Sequence, residues 1–235
     1  MQTESIKVEL SDGEMSAYVA YPDKTPAGAI IAIMEIWGVN DTMKAHAHEF
    51  AEAGYICLVP DLFWRLEPDV ILDSDNPDDW MPSLDRYFRF DYDLGAKDME
   101  ATMNFLRTID GGTGRVGSVG YCLGGKMCYL MCCRTDIDCA VGYYGTYIEH
   151  AIGEAPNLSQ PFLLHQALAD TWVPPAVCTF IESKIGDKPN VTIHKYSGAE
   201  HAFARHGAGS YSAPEAEVAL ARSIAFFDNH LKQPA

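Results

Sequence analysis

Short apolar runs alternate with amphipathic stretches along most of this chain, and the period of each run separates strand from helix. Residues 6–10 and 15–21 alternate around Asp12-Gly13 and predict an opening antiparallel pair. Residues 29–36 are continuously apolar up to Glu35, the pattern of a strand buried on both faces. A helix is expected from Asp41 to near Gly54, then a strand at 55–60. Met99, Met103 and Leu106 recur at helical spacing. Further strands are expected at 116–121, 139–144, 161–168 and 191–196, with helices at 123–134 and about 174–186. The last helix opens on Ser212-x-x-Glu215, a capping-box spacing, and buries Leu220, Ile224, Phe227 and Leu231. Residues 62–94, rich in Asp, Pro and aromatics, have weak periodicity and are expected to form a long excursion with short helices.

Strands alternating with helices predict an α/β fold, a mostly parallel sheet with helices on both faces. No stretch has the composition of a linker, and there is no repeat, so residues 1–235 are expected to form a single domain. Ligands of such sheets sit at the carboxyl ends of the strands. The loops that follow the strands are therefore the places to look for chemistry.

One of these loops is Gly120-Tyr-Cys122-Leu-Gly124, between the strand at 116–121 and the helix at 123–134. Strand, Gly-x-Cys-x-Gly and helix make the setting of a nucleophile elbow, with sulfur where serine is commoner. The glycines are needed because the turn is tight, and the helix N-terminus favours thiolate over thiol. A thiol used in acyl transfer needs a base, and the base needs an orienting acid. In hydrolases of this build the chain order is nucleophile, acid, histidine. Asp170 follows the strand at 161–168 and His201 follows the strand at 191–196, so both match in type, order and edge. Glu35 closes the apolar run at 29–36, where a carboxylate is costly without a partner or a task. Contact between Glu35 and Cys122 is expected, because both end neighbouring strands. The backbone N–H groups of Ile36 and Leu123 are then the natural oxyanion donors.

Other motifs carry less. Gly112-Thr-Gly-Arg-Val-Gly117 satisfies G-x-G-x-x-G but precedes a strand, and Met127 replaces the Ser/Thr of a Walker loop at Gly120–Lys126, so no nucleotide is expected. His46 and His48 lie two apart on a helix and are expected at the surface. His165 falls in a buried strand as a hydrogen-bonded core residue, while His150, His194, His206 and His230 have no acid or nucleophile context. Cys128, Cys132, Cys133 and Cys139 match no zinc spacing and are expected to pack as small apolar residues.

Composition narrows the partners. The net charge of −16, from 33 acidic against 17 basic residues, argues against nucleic acid and anionic membrane. No apolar run approaches the roughly 20 residues of a membrane span. Seven cysteines and an N-terminus without basic or apolar regions point to a reducing, cytoplasmic setting.

Glu35-Ile-Trp-Gly, Gly120-Tyr-Cys-Leu-Gly-Gly, Asp170 with Val173-Pro174, and Gly198-Ala-Glu-His201-Ala-Phe together resemble the dienelactone hydrolase (carboxymethylenebutenolidase) family over nearly the whole chain. The resemblance implies an α/β-hydrolase fold without a large cap and a triad of Cys122, Asp170 and His201. It implies opening of a small unsaturated lactone, of the dienelactone-to-maleylacetate type in aromatic-compound breakdown, through an acyl-enzyme. No cofactor or metal is expected, and the chain is expected to act as a monomer. In that family the glutamate matching Glu35 holds the resting thiol and takes its proton when substrate displaces it. Arg205 stands where the family binds the substrate carboxylate. A second family arginine lies in the excursion; here Trp80 falls near its place, with Arg86 and Arg89 a little further on. Trp37, Tyr87 and Tyr144 are expected as pocket walls. Two alternatives remain open: an esterase, thioesterase or promiscuous hydrolase of the same fold, and a redox-sensing binding protein with Cys122 as its switch.

Overall fold

The computed structural model describes residues 1–232. Its strands are β1 (Gln2–Leu10), β2 (Gly13–Tyr21), β3 (Ala27–Ile33), β4 (Ile56–Pro60), β5 (Gly112–Tyr121), β6 (Cys139–Tyr143), β7 (Phe162–Ala167) and β8 (Val191–Tyr196). They form one sheet in the order β1-β2-β4-β3-β5-β6-β7-β8. The predicted opening pair is antiparallel, running from Gln2 opposite Tyr21 to Leu10 opposite Gly13, and β2 joins β4 antiparallel. From β4 through β8 every pairing is parallel.

Every residue of β3, β4, β6 and β7 is buried, because helices cover both faces. On one face α1 (Asp41–Glu52) meets α6 (Ala213–Leu231), with Phe50 set edge-on against Phe227. The other face carries α3 (Tyr92–Arg107) and α4 (Leu123–Arg134). Residues 123–132 of α4 are all buried, which accounts for its cysteines: Cys128 and Cys132 fill core volume, as the sequence suggests. All seven cysteines are free thiols. Among the described residues no helix is long and apolar enough to cross a membrane.

Several boundaries differ from expectation. The apolar run at 29–36 is strand only to Ile33, so Glu35 sits in the loop beyond. The excursion holds a helix of 13 residues, α2 (Pro77–Arg89), and the first turn of α3. Pro82 inside α2 and the apolar Met81 and Phe88 on its exposed side hide the period. A 3₁₀ segment (Ile148–Asn157) was not foreseen; α5 (Pro175–Ile185) was. At the start of α6 the capping box does not form: the Ser212 hydroxyl donates to the Glu215 carboxylate instead of accepting a backbone N–H. Leu220 and Ile224 are half-buried there, while Ala216, Ala219, Ser223, Phe227 and Leu231 make the buried face.

Candidate functional site

The strand order reverses direction between β3 and β5, since β3 leads outward to β4 and β5 begins the march to β8. Such a switch point leaves a crevice at the carboxyl ends of the two strands. Ile33 and Gly120 are paired there, and two residues beyond each comes a chemistry-bearing side chain, Glu35 and Cys122. Parallel neighbours deliver Thr146 after β6, Asp170 after β7 and His201 after β8 to the same edge.

The elbow itself is strained. Cys122 has φ 56° and ψ −113°, a region that non-glycine residues rarely occupy. Its amide donates to the Tyr143 carbonyl at 3.0 Å, and its carbonyl accepts from Gly125 at 3.0 Å and Thr146 at 3.2 Å. The flanking glycines are required by contact: a Cβ on Gly120 would lie 2.0 Å from the Gly124 carbonyl oxygen, and one on Gly124 would lie 2.3 Å from that of Ile33. Cys122 thus stands at the N-terminus of α4, 7% exposed.

Asp170 and His201 meet as their order along the chain predicts. Asp170 Oδ2 lies 2.7 Å from His201 Nδ1, and its Oδ1 accepts from the backbone of Trp172 at 2.7 Å and Val173 at 3.0 Å. These bonds compensate a carboxylate that is 3% exposed. Burial alone would lower the His201 pKa, but Cys122 and Asp170 beside it reverse the sign and push it up to about 10. The imidazolium is therefore the favoured form in the presence of these two neighbours.

Glu35 departs from expectation. Its Oε2 accepts from Arg205 Nε at 2.6 Å, and no hydrogen bond joins it to Cys122. Two opposite charges buried side by side satisfy one another better than a carboxylate and a thiol. The Arg205 guanidinium also lies over the Trp37 ring, 5.6 Å from its centre. The neighbour of the thiol is Thr146, whose Oγ1 is 3.8 Å from Sγ and accepts from the Tyr87 hydroxyl at 2.7 Å. Thr146 carries no signal in the sequence, for it reaches the site only through the left-handed turn at Tyr144 and Tyr147. Glu35 Oε1, Trp37 Nε1 and the Tyr144 hydroxyl are buried without a hydrogen-bond partner among the described residues, a concentration of unmet polar atoms around one spot.

A cavity of about 30 Å³ is lined by Ile36, Trp37, Trp80, Leu84, Tyr87, Cys122, Trp172, His201 and Arg205. The i, i+4, i+7 stripe Trp80, Leu84, Tyr87 turns one face of α2 toward it. Arg86 and Arg89 face elsewhere, paired with Glu67 and Asp85, so neither is the second arginine of the pocket. Trp37 and Tyr87 line the cavity as expected, while Tyr144 sits behind His201 at 5.0 Å between ring centres. The amides of Ile36 and Leu123 donate to no other group among the described residues. Leu84 and Trp172 were missed; the α2 stripe was the available clue to the first.

Outside this cavity, His46 is not a surface residue. It is 4% exposed and stacks on Tyr121, 4.3 Å between ring centres. His206 has an acid partner after all, Glu49. His165 is a bonded core residue as expected, between Ser223 at 3.0 Å and Tyr196 at 2.8 Å.

The strand order, the elbow and the loops around it define an α/β-hydrolase fold. A solved structure from Klebsiella pneumoniae matches with TM-score 0.85 at 20% identity, covering 96% of this chain and 98% of that one. The solved dienelactone hydrolase from Anabaena variabilis matches with TM-score 0.75 at 16% identity, covering 98% of each chain. In sequence, the carboxymethylenebutenolidase of Pseudomonas putida is 34% identical over 227 residues, 96% of this chain and 96% of its own. The profile of the dienelactone hydrolase family matches residues 15–231, and the chain belongs to that family, as a hydrolase of ester or lactone bonds.

Proposed function

We propose that this enzyme opens a small unsaturated lactone by acyl transfer through Cys122, with His201 as base and then acid and Asp170 fixing its tautomer. The observation that carries the reading is the 2.7 Å Asp170–His201 pair at the same sheet edge as a cysteine held at positive φ. The Cys122 sulfur attacks the lactone carbonyl while His201 holds the thiol proton. The oxyanion is received by the amides of Ile36 and Leu123. Collapse breaks the ring C–O bond, and His201 returns the proton to the departing oxygen. The thioester is then hydrolysed by a water that His201 deprotonates, giving the open-chain acid and the free thiol.

Glu35 and Arg205 support a carboxylated substrate. A substrate carboxylate that takes over Arg205 would displace the Glu35 carboxylate from that pair. The reaction would serve the cytoplasmic breakdown of aromatic compounds, and a single copy of the chain contains every residue it uses. Steady-state turnover of cis- and trans-dienelactone beside p-nitrophenyl acetate tests the proposal. Cys122→Ala should abolish all three activities, and unchanged turnover would reject it.

One observation favours a second, broader reading. Trp80 and Leu84 occupy the wall where a second cation would stand, and Arg205 is already paired with Glu35. Such a wall suits neutral esters as well as a monoanionic lactone. Arg205→Ala should then depress carboxylated lactones far more than neutral esters; equal losses would remove Arg205 from recognition.

A further inference from the structure

Three side chains outside the reaction site converge with donor atoms facing one another. His46 and Glu49 stand at i and i+3 on one face of α1, and His206 comes from the loop after β8. His46 Nδ1 is 2.9 Å from Glu49 Oε2, and His206 Nε2 is 2.8 Å from Glu49 Oε1. One donor atom from each residue lies within 4.8 Å of both others.

We propose that His46, Glu49 and His206 bind a divalent transition-metal cation of the zinc class. Two imidazoles and one carboxylate are the donor set that Zn²⁺, Co²⁺ and Ni²⁺ accept, whereas Mg²⁺ and Ca²⁺ need a shell of oxygens. The His46 Nδ1 and His206 Nε2 atoms that now bond the carboxylate are the ones a cation would take, with each neutral imidazole keeping its proton on the other ring nitrogen.

The rings are already oriented. His46 lies parallel to Tyr121, 9° between planes, and His206 lies against Tyr211 at 5.0 Å. Exposure grades from inside to outside, with side chains 5% exposed at His46, 24% at Glu49 and 41% at His206, which gives a route from solvent. A cavity of about 50 Å³ adjoins the cluster, enough for a water to complete a four-coordinate shell. Glu217 lines the same cavity, and the net charge of −16 favours any cation over any anion there.

The site touches the reaction centre without entering it. Tyr121 immediately precedes Cys122, and His206 immediately follows Arg205. A bound cation would tie α1 to the segment that carries His201 and Arg205. Its role is a clasp on that segment, and it does not depend on the acyl-transfer reading.

The test uses the full chain with Cys122→Ala, so that the reaction-site thiol cannot compete for metal. Calorimetric titration with Zn²⁺ should give one equivalent per chain and a raised melting temperature. His206→Ala or Glu49→Gln in that background should weaken binding by more than about tenfold, since even a metal's outer partners are worth about that much. His48→Ala, bonded instead to Tyr18, should leave binding unchanged. Co²⁺ should give weak visible bands without a thiolate charge-transfer band, and Mg²⁺ should give no heat. Circular dichroism would verify that each variant folds. No Zn²⁺ binding, binding indifferent to His206→Ala, a thiolate band, or equal affinity for Mg²⁺ would each overturn the proposal.

Discussion

Cys122 is held where its backbone is strained, its carbonyl is pinned by two amides and its thiol faces Thr146 and His201. The strain is sustained by the surrounding bonds, and it fixes the sulfur at the mouth of the crevice. At this scale the proposed roles separate by substitution. Asp170→Asn keeps the bonds from Trp172 and Val173 but offers His201 the wrong partner, so kcat should fall by about 10⁴-fold with the fold intact. A loss below about tenfold would take Asp170 out of the reaction. The raised His201 pKa also has a consequence for stability. A group whose folded pKa exceeds its unfolded value stabilises most below the unfolded value. The contribution of His201 should therefore be lost as pH rises from about 6.5 to about 10. Urea midpoints across that range should fall more steeply for wild type than for His201→Gln; parallel curves would contradict the shift.

Elements place these residues, and the sequence shows some elements better than others. The strands and the elbow are legible because their apolar runs are long and the glycine spacing is rigid. Gly124→Ala should cost about 3 kcal/mol or more, because its Cβ would meet backbone at 2.3 Å. Gly153→Ala, with nothing within 4 Å, is the matched control and should change urea stability little. Less legible is α2, where Pro82 and five charged residues in 77–89 mask the stripe that faces the cavity. That masking is why Arg86 and Arg89 stood as candidates: without the helix, their direction was unknowable. Arg86→Ala and Arg89→Ala should each leave kcat/KM for a carboxylated lactone within about twofold, because their pairs with Glu67 and Asp85 lie outside the cavity lining, whereas Trp80→Ala should shift KM. The Glu35–Arg205 pair was invisible for another reason, since 170 residues separate its partners and no local pattern encodes such a contact.

Across the whole molecule, parallel pairing from β4 to β8 gathers residues far apart in sequence at one edge, which is why Asp170 and His201 meet although 31 residues separate them. The buried surroundings of His46 were not legible, because its stacking on Tyr121, at the end of β5, arises only in the folded chain. Charge acts at this scale too. A net charge of −16 repels an anionic substrate from a distance, and salt screens that repulsion within about 10 Å at 0.1 M. Raising salt toward that level should increase kcat/KM for a carboxylated lactone and leave p-nitrophenyl acetate unaffected. A fall with salt would mean that Arg205 dominates the local field.

Mass spectrometry of enzyme quenched during turnover of an activated ester looks for the proposed covalent acyl group on Cys122 itself. The peptide that contains Cys122 should gain an acyl mass that is lost on continued incubation and is absent from Cys122→Ala. Full turnover with no label on Cys122, or undiminished turnover by the variant, would contradict it.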